Sequence, residues 1–290
     1  MTAAGVSRTG QQGEVAAAFD AQACCYDESW TGSVVGRLQR EAVWREFDRL
    51  LGPRQRLLDL GCGTGADALH FARSGIRVHA VDISPSMLAV ARKMAEAEGL
   101  TNLVSFELCA LEDLARVRDR APFDGAISNF GAINCVEYLH PLASTMAELL
   151  RSGAPLALCY MGRFCLWETI WYLSRGQTGK AFRRSAIADL ISGGRSSSRY
   201  PQAKRASLGP DHWFQVYYPS VEHVVAAFTR HFRLVSFVGI GVLIPPSYMD
   251  SVAKSFPGIT RILRFSERVI CRWPVLRAMG DHRLLVFVRR

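Results

Sequence analysis

Arg56-Leu57-Leu58-Asp59-Leu60-Gly61-Cys62-Gly63-Thr64-Gly65 decides how this 290-residue chain is read. A short apolar run passes without a break into glycines at 61, 63 and 65, and a helical stretch follows to about Arg73. This is strand, glycine turn, helix: the glycines let the backbone pass close under a ligand and present N–H groups at a helix start. Working outward, Ile76 to Val81 forms a second apolar strand that ends on Asp82, and Ser84-Pro85 supplies an N-cap and a first-turn proline for a helix to Glu98. Leu103 to Leu108, Phe123 to Ser128 and Pro155 to Tyr160 read as three more strands, with a helix through Leu142 to Leu150 before the last. Strands alternating with helices imply right-handed crossovers and a parallel sheet covered on both faces.

Upstream, Val15 and Phe19, then Val35, Leu38, Val43, Phe47 and Leu50, recur at helical spacing and predict two N-terminal helices parted by the turn-like Tyr26-Asp27-Glu28-Ser29. After Met161 the rhythm breaks. A helix carrying Phe164, Trp167, Trp171 and Tyr172 leads into the basic Ser192 to Ser198 run and an alternating strand near Trp213 to Tyr218. A helix from Val221 to Thr229, a strand from Phe232 to Val238, a helical segment from Ile259 to Arg272 and a final strand from Arg283 to Val288 follow. The Ser192 to Ser198 run has too little apolar content to anchor itself and is expected to be cut first by a protease.

Apolar residues make up 49% and charged residues 21% of the chain, a globular balance. Its 35 basic and 26 acidic residues leave a net charge of +9, with much of the excess between Arg163 and Arg205, where Glu168 and Asp189 are the only acids. The first residues carry no apolar run of a signal or transit peptide, and no apolar stretch approaches the ~18 residues of a membrane span, so a cytoplasmic location is expected. Eight cysteines form no Cys-x-x-Cys pair and are expected to be reduced and mostly buried, with no metal site.

Gly61 to Ala66 formally satisfies the dinucleotide pattern G-x-G-x-x-G/A, which leaves a nicotinamide or flavin open. Asp59, two residues ahead of the first glycine, would repel a diphosphate but suits an amino-acid ammonium. Asp82 can accept both ribose hydroxyls of either cofactor class, while Ile83 and Met87 offer apolar surface for an adenine.

Leu58 to Gly65 together with Val81-Asp82-Ile83-Ser84-Pro85-Ser86-Met87 resembles the class I S-adenosylmethionine-dependent methyltransferases, over roughly Phe19 to Tyr160. The resemblance implies an α/β, doubly wound, mostly parallel seven-stranded Rossmann-like sheet with an antiparallel last strand. Phe123 to Phe130 resembles the family's fourth strand, whose end, here Asn129 and Phe130, faces the methionine moiety. Leu111-Glu112-Asp113 resembles its adenine-contacting segment, and Phe19-Asp20 through Tyr26-Asp27 the N-terminal lid of its small-molecule members. The expected cofactor set is therefore Tyr26, Asp59, Gly61, Cys62, Gly63, Asp82, Ile83, Met87, Leu111, Glu112, Asn129 and Phe130. The expected organisation is a helical lid over 1–51, an S-adenosylmethionine-binding core over 52–161, an inserted α/β substrate cap over 162–219 and a completion of the sheet over 220–290.

The implied activity is methyl transfer from S-adenosylmethionine, leaving S-adenosylhomocysteine, to O, N or C of a small, apolar, lipid-like or natural-product-like acceptor. A cofactor fold used for non-methyl chemistry or regulation, and a dinucleotide-dependent oxidoreductase, are the competing readings. Trp167, Trp171, Trp213 and Tyr217, with Tyr218, either line the acceptor pocket or form only the core of the cap. His140 and His212 are the first histidines to test as a base, and the sequence leaves the catalytic residue unassigned. Arg261, Arg264, Arg268 and Arg272 share one helical face and Ile262, Phe265 and Val269 lean to another, a pattern compatible with peripheral contact at an anionic membrane. Nucleic acid is the poorer fit, since no nucleic-acid-binding motif accompanies the basic run, and the oligomeric state is left open.

Overall fold

The computed structural model describes residues 3–184, 203–209 and 211–290, and the Ser192 to Ser198 run lies outside them. Five strands, β1 (Arg56–Leu60), β2 (Arg77–Asp82), β3 (Val104–Leu108), β4 (Gly125–Ser128) and β5 (Pro155–Met161), pair in parallel in the order β3-β2-β1-β4-β5. The sheet is completed by β8 (Phe232–Ile240) and β9 (His282–Arg289), with β9 inserted between β5 and β8 and antiparallel to both. The seven-stranded, mostly parallel sheet with an antiparallel last strand is thus the expected fold. The strand order reverses between β1 and β4, and the carboxyl ends of strands on either side of such a reversal open a crevice for ligands.

Alternate residues of each strand face opposite layers, as the pleat requires. Leu58, Leu60, Leu285 and Phe287 point into one layer, and Leu57, Leu284 and Val286 into the other. The first layer is covered by α5 (Leu139–Leu149) and α8 (Val221–Phe228), whose Phe228 ring lies 5.4 Å from that of Phe287. The second is covered by α2 (Val34–Phe47), α3 (Ala66–Arg73) and α4 (Pro85–Ala97). Ser84 caps α4 as its sequence predicts, its hydroxyl accepting the Met87 N–H at 3.0 Å.

The N-terminal helix α1 (Ala3–Gln22) is followed by a π-helical turn at Asp27–Thr31, where the sequence reads as a simple turn. Between β5 and α8 the chain forms α6 (Leu166–Leu173), α7 (Thr178–Ala181) and a hairpin of β6 (Ala203–Ser207) with β7 (Trp213–Tyr217). Strand β6 carries Lys204 and Arg205 and hides in the basic composition of that stretch. Packing decides the matter: β7 buries Phe214 and Val216 against Val15 and Ala18 of α1, and β6 is its partner. The short helix α9 (Asp250–Ser255) precedes the long helix α10 (Pro257–Ile270).

Phe287 is fully buried, whereas Phe265 on α10 is 72% exposed. Phe287→Ala should therefore cost about 3–5 kcal/mol of unfolding free energy, and Phe265→Ala should stay within about 0.5 kcal/mol of the parent. Denaturant titration of the two variants side by side checks the assignment of inside and outside.

Candidate functional site

The glycine turn after β1 is shaped by its surroundings. Gly61 has φ +70°, and a Cβ there would lie 2.3 Å from that of Ala132. Gly63 has φ +53° and open space where a Cβ would project, which is the room a ligand needs beside a bare backbone. The turn is pinned to β2 by the Gly61 and Cys62 N–H groups, which both donate to the Val81 carbonyl, at 2.8 and 3.0 Å. Asp82 fixes it again: one carboxylate oxygen accepts from the Gly63 N–H at 2.8 Å and the other from the Ser84 N–H at 2.9 Å. Burial pushes the Asp82 carboxyl above its ordinary range, against the pull of these N–H donors.

A cleft opens over this turn. Tyr26, Gly61, Gly63, Asp82, Ile83, Met87, Leu111, Glu112, Asn129 and Phe130 all line it, so the structure brings these predicted cofactor residues together. Asp59 and Cys62 are not among its lining residues. Both are buried away from it, and burial and the neighbouring Asp67 push the Asp59 carboxyl well above the usual carboxylate range. Asp59 therefore has no direct place on the cleft wall. Gln11, Gln12, Val15 and Phe19 of α1, with Cys109, Gly131, Ala132, Cys135 and Val136, complete the lining. None of these was singled out as a site residue from the sequence: the α1 residues arrive by how that helix docks, and the others by the loops after β3 and β4.

That docking is specific. Asp20 of α1 accepts from the Ser84 hydroxyl at 2.6 Å and the Ser86 N–H at 3.0 Å, at the start of α4. Asp27 accepts from the Thr64 hydroxyl in the glycine turn at 2.7 Å. Tyr26 between them faces the cleft, and burial pushes its hydroxyl up to about 12, so it stays protonated.

At the end of β4, Asn129 donates to both carboxylate oxygens of Asp67 at 3.2 Å, and Arg40 of α2 holds Asp67 at 2.6 Å. Phe130 then adopts φ +48°, a strained value for a phenylalanine. Its ring is caged by Arg40 at 5.0 Å, Trp30 at 5.2 Å and His282 at 5.2 Å. Phe19, Tyr26, Phe130, Gly131 and Cys135 border both the cleft and a second cavity of about 750 Å³ on its other side.

This chamber is walled by Trp30, Phe214, Trp213, Tyr218 and Tyr248 among others, with Arg183, Arg184, Asp281 and His282 on its polar side. Of the expected acceptor residues, Trp213 lines it, as does Tyr218. Trp167, Trp171 and Tyr217 do not. Trp171 instead stacks under the Arg175 guanidinium at 3.3 Å, and Tyr217 is buried with its hydroxyl donating to Gln215 at 3.1 Å. His140 and His212 are also absent from the chamber wall.

His282 is the histidine that the chamber holds. Its Nδ1 is enclosed and lies 3.4 Å from the Asp281 carboxylate. Burial pushes the imidazole down to about 4, with Asp281 opposing, so it is neutral at ordinary pH. Asp281 is anchored by Arg184 at 2.9 Å, and Arg184 also pairs with Glu168 of α6 at 2.7 Å. Burial opposes ionisation of Asp281, but His282 and Arg184 hold it below the usual carboxylate range. The sequence offered no signal for His282, since it opens a strand and the rings that surround it, Trp30 and Phe130, lie far away in the chain.

Comparison with known proteins agrees with this geometry. A methyltransferase-domain family model matches residues 57–153. The tRNA 5-carboxymethoxyuridine methyltransferase of Escherichia coli (strain K12) is 31% identical over 146 residues, 49% of this chain and 55% of that protein. The demethylmenaquinone methyltransferase of Clavibacter sepedonicus is 32% identical over 149 residues, 51% of this chain and 58% of that protein. The chain thus spans little more than half the length of these curated relatives. In fold it resembles the geranyl diphosphate C-methyltransferase of Streptomyces coelicolor A3(2), solved with S-adenosyl-L-homocysteine, at 17% identity and a TM-score of 0.54, covering 88% of this chain and 80% of that one. The family model, the relatives and the seven-stranded sheet agree over the part they cover: residues 57–153 match a methyltransferase domain, and the sheet has the fold of solved S-adenosylmethionine-dependent methyltransferases.

Proposed function

We propose that this chain transfers the methyl group of S-adenosylmethionine to a small, largely apolar acceptor seated in the aromatic chamber. The observation that carries this reading is the shared wall of cleft and chamber at Tyr26, Phe130 and Gly131. When bound, S-adenosylmethionine supplies a methyl that its sulfonium already makes electrophilic. In this reading Asp82 accepts the ribose hydroxyls, Gly61 and Gly63 pass beneath the ligand, Ile83, Met87 and Leu111 hold the adenine, and Tyr26, Asn129 and Phe130 border the amino-acid end. The lining fits such a group: Asp82 keeps its second lone pairs, and Gly63 leaves its Cβ position open. A chamber of about 750 Å³ falls within the ~300–1,000 Å³ of small-molecule sites, and its aromatic walls suit an apolar body better than a polynucleotide.

Positioning is the main contribution asked of the protein. For a hydroxyl acceptor, Nε2 of the neutral His282 takes the proton, and Asp281 beside Nδ1 stabilises the imidazolium that forms. This role has a stability signature. The folded-state value of about 4 lies below the ordinary 6.5, so His282 contributes stability above pH 6.5 that is lost as pH falls toward 4.

Four measurements test these assignments. Mass spectrometry of apolar acceptors incubated with the chain and S-adenosylmethionine should show the gain of one methyl. Asp82→Ala should weaken S-adenosylhomocysteine binding by roughly ten- to several-hundred-fold in calorimetric titration. Asparagine should not rescue it, because its amide N–H₂ would face one of the two backbone donors; parental affinity in a folded Asp82→Ala chain would remove the ribose assignment. His282→Gln should lower turnover of a hydroxyl acceptor by roughly 10²–10⁴-fold with cofactor affinity intact. The stability gap between parent and His282→Gln should also shrink between pH 6.5 and 4, and a pH-independent gap would show that His282 does not carry the depressed titration.

A further inference from the structure

Helix α10 is amphipathic in an inverted sense. A surface helix normally turns its apolar stripe to the core. Here the inward face is narrow: Leu263 and Ile270 pack half-buried against the body, and Glu267 accepts from the Val242 and Leu243 N–H groups at 2.8 and 2.6 Å. Arg264 and, just past the helix, Arg272 pair with Glu41 and Glu46 of α2 at 2.7 and 2.6 Å. Ile259, Ile262, Phe265 and Val269, continued by Trp273, fall on one outward face and are 55%, 66%, 72%, 58% and 55% exposed. Beside this row, Arg261 and Arg268 are exposed with no acidic partner among the described residues.

We infer that the outward face of α10 docks on an anionic membrane surface, the apolar row entering the interface and Arg261 and Arg268 meeting lipid headgroup phosphates. The pattern is that of an interfacial helix: apolar side chains in one sector, basic residues along its border and a tryptophan at the end. No helix among the described residues is long and apolar enough to cross a membrane, so the contact is peripheral. A second copy of the chain fits this surface poorly. An isologous contact would set the arginine sector against itself. A 14-residue helix face also offers about 20 by 10 Å, far below the ~800 Å² per partner of a stable dimer. The placement also suits an apolar acceptor, since Tyr248 at the chamber wall lies in the turn Ser247–Met249 that leads into α9 and α10. That last point rests on the proposed function; the docking itself does not and is tested by binding alone.

The test is co-sedimentation of the 290-residue chain with vesicles of phosphatidylcholine alone or mixed with phosphatidylglycerol, at low and high salt. Salt-sensitive binding to the anionic vesicles and little to the neutral ones is expected. Replacing both Arg261 and Arg268 by alanine should weaken partitioning about fivefold per residue, roughly thirtyfold together. Ile262→Ser with Phe265→Ser should weaken it at least as much, and both pairs should melt like the parent because these side chains are exposed. Failure of the parent to bind anionic vesicles at low salt, or binding unchanged in both double variants, would overturn the proposal. So would a parental dimer in sedimentation velocity that Ile262→Ser with Phe265→Ser dissolves, since that face would then be covered by a second copy.

Discussion

The Asp82 carboxylate accepts one N–H from the glycine turn after β1 and another from the start of α4, and the site is organised around that pair of bonds. Through Ser84 the same junction reaches the N-terminal helix, because the Ser84 hydroxyl donates to Asp20. A continuous line of hydrogen bonds therefore runs from Gly63 through Asp82 and Ser84 to α1. Hydrogen bonds to an ionised acceptor are worth about 1.5–3 kcal/mol each, enough to fix the turn before any ligand arrives. A backbone preset in this way spares a ligand the entropy of ordering the loop on binding.

What the sequence disclosed follows from how local each signal is. The run from Arg56 to Gly65 and the segment from Val81 to Met87 are short and set by neighbours in the chain, so their reading as cleft walls agrees with where the structure places Gly61, Gly63, Asp82, Ile83 and Met87. Asp59 and Cys62 share the same motif but are buried away from the cleft, Asp59 by its place in β1 and Cys62 within the turn itself. Trp167 and Trp171 carried a compositional argument alone, and aromatic content does not say which way a helix rolls. His282 and Cys135 reach the site through strand order and loop docking. The periodicity of α10 separated arginines from apolar residues correctly, yet nothing in a periodic pattern says which sector meets solvent.

The chamber is held together at a cost. Glu168, Arg184 and Asp281 are all buried and bridge α6 to the start of β9. Such buried ion networks give little net stability, since desolvation consumes most of the attraction, but loss of one member leaves an uncompensated charge. Here they tie Asp281, the neighbour of His282, to α6, and His282 in turn packs on the Phe130 ring. The same reasoning explains how Phe130 can persist at φ +48°: Asn129 takes its N–H at 3.1 Å, and three side chains enclose its ring.

Strand β9 lies between β5 and β8, both of which precede it in the chain. The described helices and six of the seven sheet strands are therefore synthesised before the piece that joins them. Until His282–Arg289 are made, β5 and β8 each present an unpaired edge, and the apolar residues meant for Leu284 to Phe287 have no partner. Long-range pairing of this kind closes late and leaves open edges exposed to wrong partners in the meantime. The sheet of this molecule cannot close until that one eight-residue strand is available.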